Sequence, residues 1–211
     1  MKKMLALTAI AVLAFGGIAM AQPIDPDPDG MGVYFDTDGI DFCMTIDPWT
    51  VGVDPGPGSI PAYLLLTNPS SVDDGFTTVK GFVARIDATT NSYIPAGAWT
   101  LTESAFNNNS HPEYVVGLGL VPISVTGQTV VLATNNFAWT GYEGSAALTI
   151  TLDGVPGDLS YPEQIGYAPE VGFPYPVQSR HGHWGENAWI NGACDPIANE
   201  NMTWGSVKSL Y

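Results

Sequence analysis

The 211-residue chain carries 21 acidic and six basic residues, a net charge of −15, with 24 glycines and 17 prolines. So acidic a surface repels polyanions, which argues against nucleic acid and anionic lipid as partners and suits solubility outside the cell. The length fits one domain with a sizeable core.

The first residues read as a secretory signal peptide of bacterial type. Lys2 and Lys3 give a basic start, Leu5 to Ile18 is a short apolar run broken by Gly16 and Gly17, and Ala19-Met20-Ala21 is an A-x-A cleavage site. The run is too short for a stable membrane span. The expected organisation is a signal peptide over 1–21, an acidic Pro/Asp leader over 22–30 and a β-sandwich domain over 31–211. The product would be secreted, periplasmic or extracellular, with no membrane span after cleavage. Beyond Ala21 all 21 acidic residues remain, against Lys80, Arg85, Arg180 and Lys208. In an oxidising compartment the two cysteines, Cys43 and Cys194, are expected to form one disulfide. It would close a loop of about 150 residues and stabilise the fold by roughly 5 kcal/mol in the loop-entropy picture.

After the leader come short runs rich in Val, Ile, Thr, Tyr and Phe. The expected strands are Gly32–Asp36, Asp41–Ile46, Ala62–Asn68, Thr77–Asp87, Ala98–Thr102, Tyr114–Gly119, Thr129–Thr134 and Ser145–Asp153, divided by Gly, Pro, Asn and Asp clusters. Phe82, Ala84 and Ile86 alternate with polar neighbours, as do Leu148, Ile150 and Leu152, so each strand has one wet face. Tyr63–Leu66 is apolar throughout and reads as a central strand. The pattern predicts an all-β fold, a single antiparallel sandwich of immunoglobulin-like or jelly-roll type. Val155 to Val177, rich in Pro, Tyr and Gly, reads as a long excursion, functional or laid across the sandwich. At the end, Trp204, Val207, Leu210 and Tyr211 fall at helical spacing behind a Thr203 cap, so a short terminal helix competes with a final strand.

Three candidate sites stand out. Asp25, Asp27, Asp29 and Asp36 fall at positions one, three, five and twelve of a calcium loop, with Gly30 at position six. Against that, Pro26 and Pro28 stiffen the segment and no helices flank it, so an acidic tether is the plainer reading. Calcium is the one cofactor the sequence suggests. His181, His183 and Glu186 form a second candidate metal set, because histidines at i and i+2 of a strand point the same way. The plainer alternative is a Gly-rich loop with solvated histidines. Trp184 and Trp189, with Trp139 and Tyr142, lie in or beside expected loops, where planar rings either stack on sugars or plug the core. No Gly-x-Ser-x-Gly elbow occurs and no local pattern marks a carboxylate pair.

The stretches Met31–Asp36 (MGVYFD), Ala62–Ser70 (AYLLLTNPS) and Thr203–Tyr211 (TWGSVKSLY) together resemble a loose group of uncharacterised exported bacterial proteins with a signal peptide and one β-rich domain. Ala62 to Asp153 is also similar to cohesin-like and carbohydrate-binding sandwiches. Neither resemblance brings catalytic residues. The expected function is a non-enzymatic binding or surface-structural module with a glycan or protein partner at the cell surface. The alternative is a metal-dependent or carboxylate enzyme using His181, His183 and Glu186.

Overall fold

The computed structural model describes residues 28–44, 58–90, 97–102, 104–139, 148–158, 164–171, 173–179 and 185–190. Among the described residues strand makes up 57% and no helix reaches seven residues, so the fold is all-β. In chain order the strands are β1 (Gly30–Tyr34), β2 (Cys43–Met44), β3 (Gly58–Thr67), β4 (Thr78–Val79), β5 (Gly81–Thr90), β6 (Phe106–Asn107) and β7 (Glu113–Gly117). There follow β8 (Ile123–Ser124), β9 (Thr129–Trp139), β10 (Leu148–Asp153), β11 (Gly166–Glu170), β12 (Phe173–Pro176), β13 (Gln178–Ser179) and β14 (Gly185–Ile190).

Two sheets pack face to face. The first has the order β13-β1-β3-β9; the second contains β12, β11, β5, β10, β14 and β2, with β7 also paired to β5 and β6 to β7, while β4 and β8 form a separate two-stranded pair. Most pairings are antiparallel, but β1–β13 and β14–β2 are short parallel pairs. The core lies between the sheets. Ala62, Leu64 and Leu66 of β3 face Phe82, Ala84 and Ile86 of β5 and Leu148, Ile150 and Leu152 of β10 within one apolar cluster. Both expected alternations are therefore core faces.

Register along β5 fixes the layout of the second sheet. Gly81–Val83 pairs with both β7 and β11, so these take opposite edges. Arg85 pairs with both Glu113 of β7 and Asp153 of β10, so β10 also lies opposite β7. β10 and β11 thus share one edge of β5, and the chain leaves that edge after Asp153 and returns to it at Gly166. The first part of this detour crosses the outer face, where buried Val155 packs on Val83 and Val115. The expected Val155–Val177 excursion is thereby corrected. Its second half is the β11–β12 hairpin, whose Pro169, Pro174 and Pro176 hid it, although proline is tolerated at sheet margins.

Two bulges redirect side chains. In β9, Leu64 pairs with Ala133 and Leu65 with Val131, leaving Leu132 as the extra residue. Leu132 and Ala133 consequently both enter the core, and the inward set shifts from even to odd positions on the way to Phe137. In β14, Ile150 pairs with Ala188 and Thr151 with Glu186, so Asn187 is the extra residue. Its Oδ1 accepts the Val33 amide of the other sheet at 2.6 Å.

The β1–β2 connection folds back over the outer face of the first sheet. Asp36 organises it: Oδ1 accepts from the Gly39 and Ile40 amides at 2.9 and 3.1 Å, and Oδ2 from Asp41 at 3.1 Å. Gly39 at φ 76 completes the turn and lies over Leu65, Thr67 and Thr129. This cover explains why Leu65, on the outer side of β3, is fully buried.

The expected terminal helix over Thr203–Tyr211 lies outside the described residues, as does Cys194. Two outcomes test the packing. Thr67 Oγ1 is buried without a hydrogen-bond partner, so Thr67→Val should raise stability by about 1 kcal/mol in denaturant unfolding. A Cβ at Gly81 would sit 2.6 Å from the Val116 carbonyl oxygen, so Gly81→Ala should lower stability by about 1–3 kcal/mol.

Candidate functional site

One end of the sandwich, where β5 begins, gathers segments distant in sequence around Asp29. Asp29 sits at φ 57 just before β1, and its backbone is fixed on both sides. Its amide donates to the Asn68 carbonyl and its carbonyl accepts from Gln178, each at 2.9 Å. The carboxylate accepts from the Ser70 amide at 2.8 Å, from the Ser70 hydroxyl, and from the Tyr167 phenol at 2.7 Å. The Tyr167 oxygen in turn accepts the Ser71 amide at 3.2 Å. The Tyr175 ring lies 5.4 Å from that of Tyr167, and its hydroxyl donates to Asp74. These contacts join the start of β1, the 3₁₀ turn Ser70–Val72 and the β11–β12 hairpin into one latch.

Both phenols hold their protons. Burial, with smaller contributions from Asp29, raises Tyr167 well above the usual tyrosine range. Tyr175 is pushed up to about 12, chiefly because its proton is shared with the Asp74 carboxylate. Neither oxygen is thus a nucleophile or base at neutral pH, and the Asp29 carboxylate already accepts three hydrogen bonds. The latch rigidifies; it is not arranged for proton transfer.

Around this rigid base, apolar side chains face water. Leu120 is 99% exposed, Val171 80%, Phe106 67%, Val121 63% and Val72 46%. Topology puts all five at the same end. Phe106 pairs with Gly117 opposite Gly81, and Leu120–Val121 follow β7 in the next turn. Val171 tips the β11–β12 hairpin and Val72 closes the 3₁₀ turn beside Ser71. The Lys80 amide donates to Ala168 and its carbonyl accepts from Leu118, so the Leu120 and Val171 turns flank Lys80. The Lys80 ammonium is itself paired with Glu170, which holds that carboxyl below its ordinary range.

The sites expected from sequence fare differently. Asp25 and Asp27 lie outside the described residues. Asp29 belongs to the latch and Asp36 to its own turn, with the extended strand Gly30–Tyr34 between them. A coordinating loop would have to curl there, so the expected calcium loop through Asp29 and Asp36 does not form. His181, His183 and Trp184 lie outside the described residues. Glu186 is exposed on β14, with Oε2 accepting from Trp189 Nε1 at 3.3 Å. His111, exposed before β7, contacts the Tyr114 hydroxyl at 3.2 Å. Three strand spacings, about 14 Å, separate β7 from β14. Among the described residues no group of three His, Cys, Asp or Glu converges as a metal site.

Trp189, expected as a stacking platform, is only 8% exposed and packs edge-on against Phe42 at 6.3 Å. That is a correction: the indole plugs the junction of β14 and β2 and is not available to a sugar. The side chain of Trp139 and all of Tyr142 lie outside what is described. The Asp29 latch and the apolar end were missed by sequence reading, because Tyr167, Tyr175 and Val171 lay inside the supposed excursion. Among the described residues no helix is long and apolar enough to cross a membrane. Comparison of the chain with protein-family models, with curated proteins and with solved structures found no match in any of the three.

The latch makes two demands. Tyr167→Phe removes the donor to Asp29 and the acceptor for Ser71, and should cost about 1–3 kcal/mol in denaturant unfolding. A raised phenol pKa stabilises fully below the ordinary tyrosine value of 10.0 and loses that contribution as pH climbs through the folded value, about 12 for Tyr175. Stability should therefore fall between those pH values, and the Tyr175→Phe variant should show less of this alkaline loss in thermal melts.

Proposed function

We propose that the chain is an exported, non-catalytic binding domain whose contact surface is the apolar end of the sandwich. The supporting observation is the presence at that end of exposed Val72, Phe106, Leu120, Val121 and Val171, with the Val72 and Val171 turns joined through the Asp29 latch. Exposed apolar groups on a soluble domain normally scatter singly; a cluster on a rigid support suits a partner. Rigid turns lose little conformational entropy on binding, so more of the contact energy appears as affinity. The sequence features of the first 21 residues support export, and a net charge of −15 suits an extracellular life.

Export also favours a bridge between Cys43 and Cys194. Supporting it, Cys43 pairs with Trp189 in parallel register, and Cys194 follows Ile190, the last residue of β14, by four positions. The described residues include no free cysteine. Non-reduced exported protein should weigh two hydrogens less than the reduced form by intact-mass spectrometry. Two alkylatable thiols would contradict the bridge.

The binding reading is tested with purified residues 22–211 presented to arrays of neutral polysaccharides and peptides. Retention of one class without turnover is expected, and retention should fall at least tenfold for Leu120→Ser combined with Val171→Ser. Release of sugars or cleaved peptide would replace the reading with an enzymatic one.

A further inference from the structure

We infer that the partner at this end is a polypeptide segment carrying Lys or Arg beside aliphatic side chains, an inference that rests on the binding reading above. Two observations select this chemistry. The first is the nature of the apolar groups. Four of the five, Val72, Leu120, Val121 and Val171, are aliphatic. Sugar recognition favours several flat rings, and of these five residues Phe106 alone offers one, while Trp189 and Tyr167 are buried. Branched aliphatic tips pack best against other aliphatic side chains, which only a protein or a lipid interior supplies.

The second observation is charge. Asp73 and Asp74 follow Val72 directly and are exposed, and Glu170 precedes Val171. Asp29 lies in the latch beneath them. The cation described among them is Lys80, and Glu170 neutralises it. The other described cation, Arg85, is paired with Asp87 at 2.8 Å, away from this end. Among the described residues the end is therefore apolar and negative together. An anionic bilayer is repelled, and any bilayer taking up Val72 would have to desolvate two carboxylates beside it. A segment with alternating basic and aliphatic residues satisfies both features: its aliphatic side chains cover the tips while its cations reach Asp73 and Asp74. Such pairing speeds encounter and selects partners, while the apolar contact supplies most of the affinity.

Purified residues 22–211 are titrated by fluorescence anisotropy into three labelled twelve-residue peptides of alternating Lys–Leu, Lys–Ser and Glu–Leu. Phosphatidylcholine vesicles and a soluble neutral glucan complete the set. The Lys–Leu peptide should bind at least tenfold more tightly than either other peptide. Leu120→Ser with Val171→Ser should cut that affinity at least tenfold, Asp73→Asn should cut it severalfold, and raised salt should reproduce the Asp73→Asn effect. All three positions are exposed, and unchanged thermal midpoints verify the folds. Equal binding of Lys–Leu and Lys–Ser would reduce the effect to bulk charge and overturn the inference, as would absence of Lys–Leu binding. Vesicle or glucan binding that is lost in the double Ser variant overturns the polypeptide assignment yet keeps the contact surface. A ligand bound equally by wild type and double variant removes the surface itself, and the binding reading with it.

Discussion

The hydrogen bond from the Val33 amide to Asn187 is the constraint on which the sandwich depends. β13 covers only Gly30 and Met31 on its edge of β1, so the Val33 amide is buried beyond the end of that pairing and needs an acceptor. The acceptor comes from the opposite sheet, 154 residues away in sequence. Regular alternation could not supply it, because Ala188 and Ile190 already fill the inward positions of β14. The bulge at Asn187 adds one residue to the strand and aims a carboxamide where a core side chain would otherwise stand. One irregularity thereby sets how the two sheets lie on each other. Apolar contact alone would permit them to slide, since it has no direction.

The Asp29 latch performs a related task at the end of the sandwich. Three segments distant in sequence meet around one carboxylate, and the phenol of a fully buried tyrosine completes the set. Turns joined in this way keep their shape without a ligand. The aliphatic side chains they carry are held in water by the polar network beneath, which is the reverse of the usual order in which apolar contact supports polar surface.

Much of the architecture was legible because alternation is a local signal. Phe82, Ala84 and Ile86, then Leu148, Ile150 and Leu152, entered the core as their spacing implied. Where a bulge broke the alternation, legibility ended. β9 was expected to stop at Thr134, yet the strand runs on to Trp139 after Leu132 shifts its phase. β11 and β12 were hidden by proline, and β14 by its glycine-rich approach. The candidate end was illegible for a different reason. Which side chains share it depends on the edges of β5, a long-range arrangement that no window of residues contains. Asp29 was expected as a calcium ligand or part of an acidic tether, whereas in the fold its carboxylate accepts hydrogen bonds from Ser70 and Tyr167. Trp189 shows the same limit in reverse, since a plugged indole and a stacking indole look alike in a sequence.

The shared edge of β5 has one further consequence. Because β10 ends at Arg85 and β11 resumes at Val83 along the same edge, the residues between them are a detour within a single line of pairing. The backbone ladder on either side is complete without them; what they add is the contact of Val155 with Val83 and Val115 at one end and Ile165 in the main core at the other. The fold thus has a natural splice point in the middle of a sheet, where length and sequence can change, or foreign sequence be carried, while every neighbouring strand keeps its register.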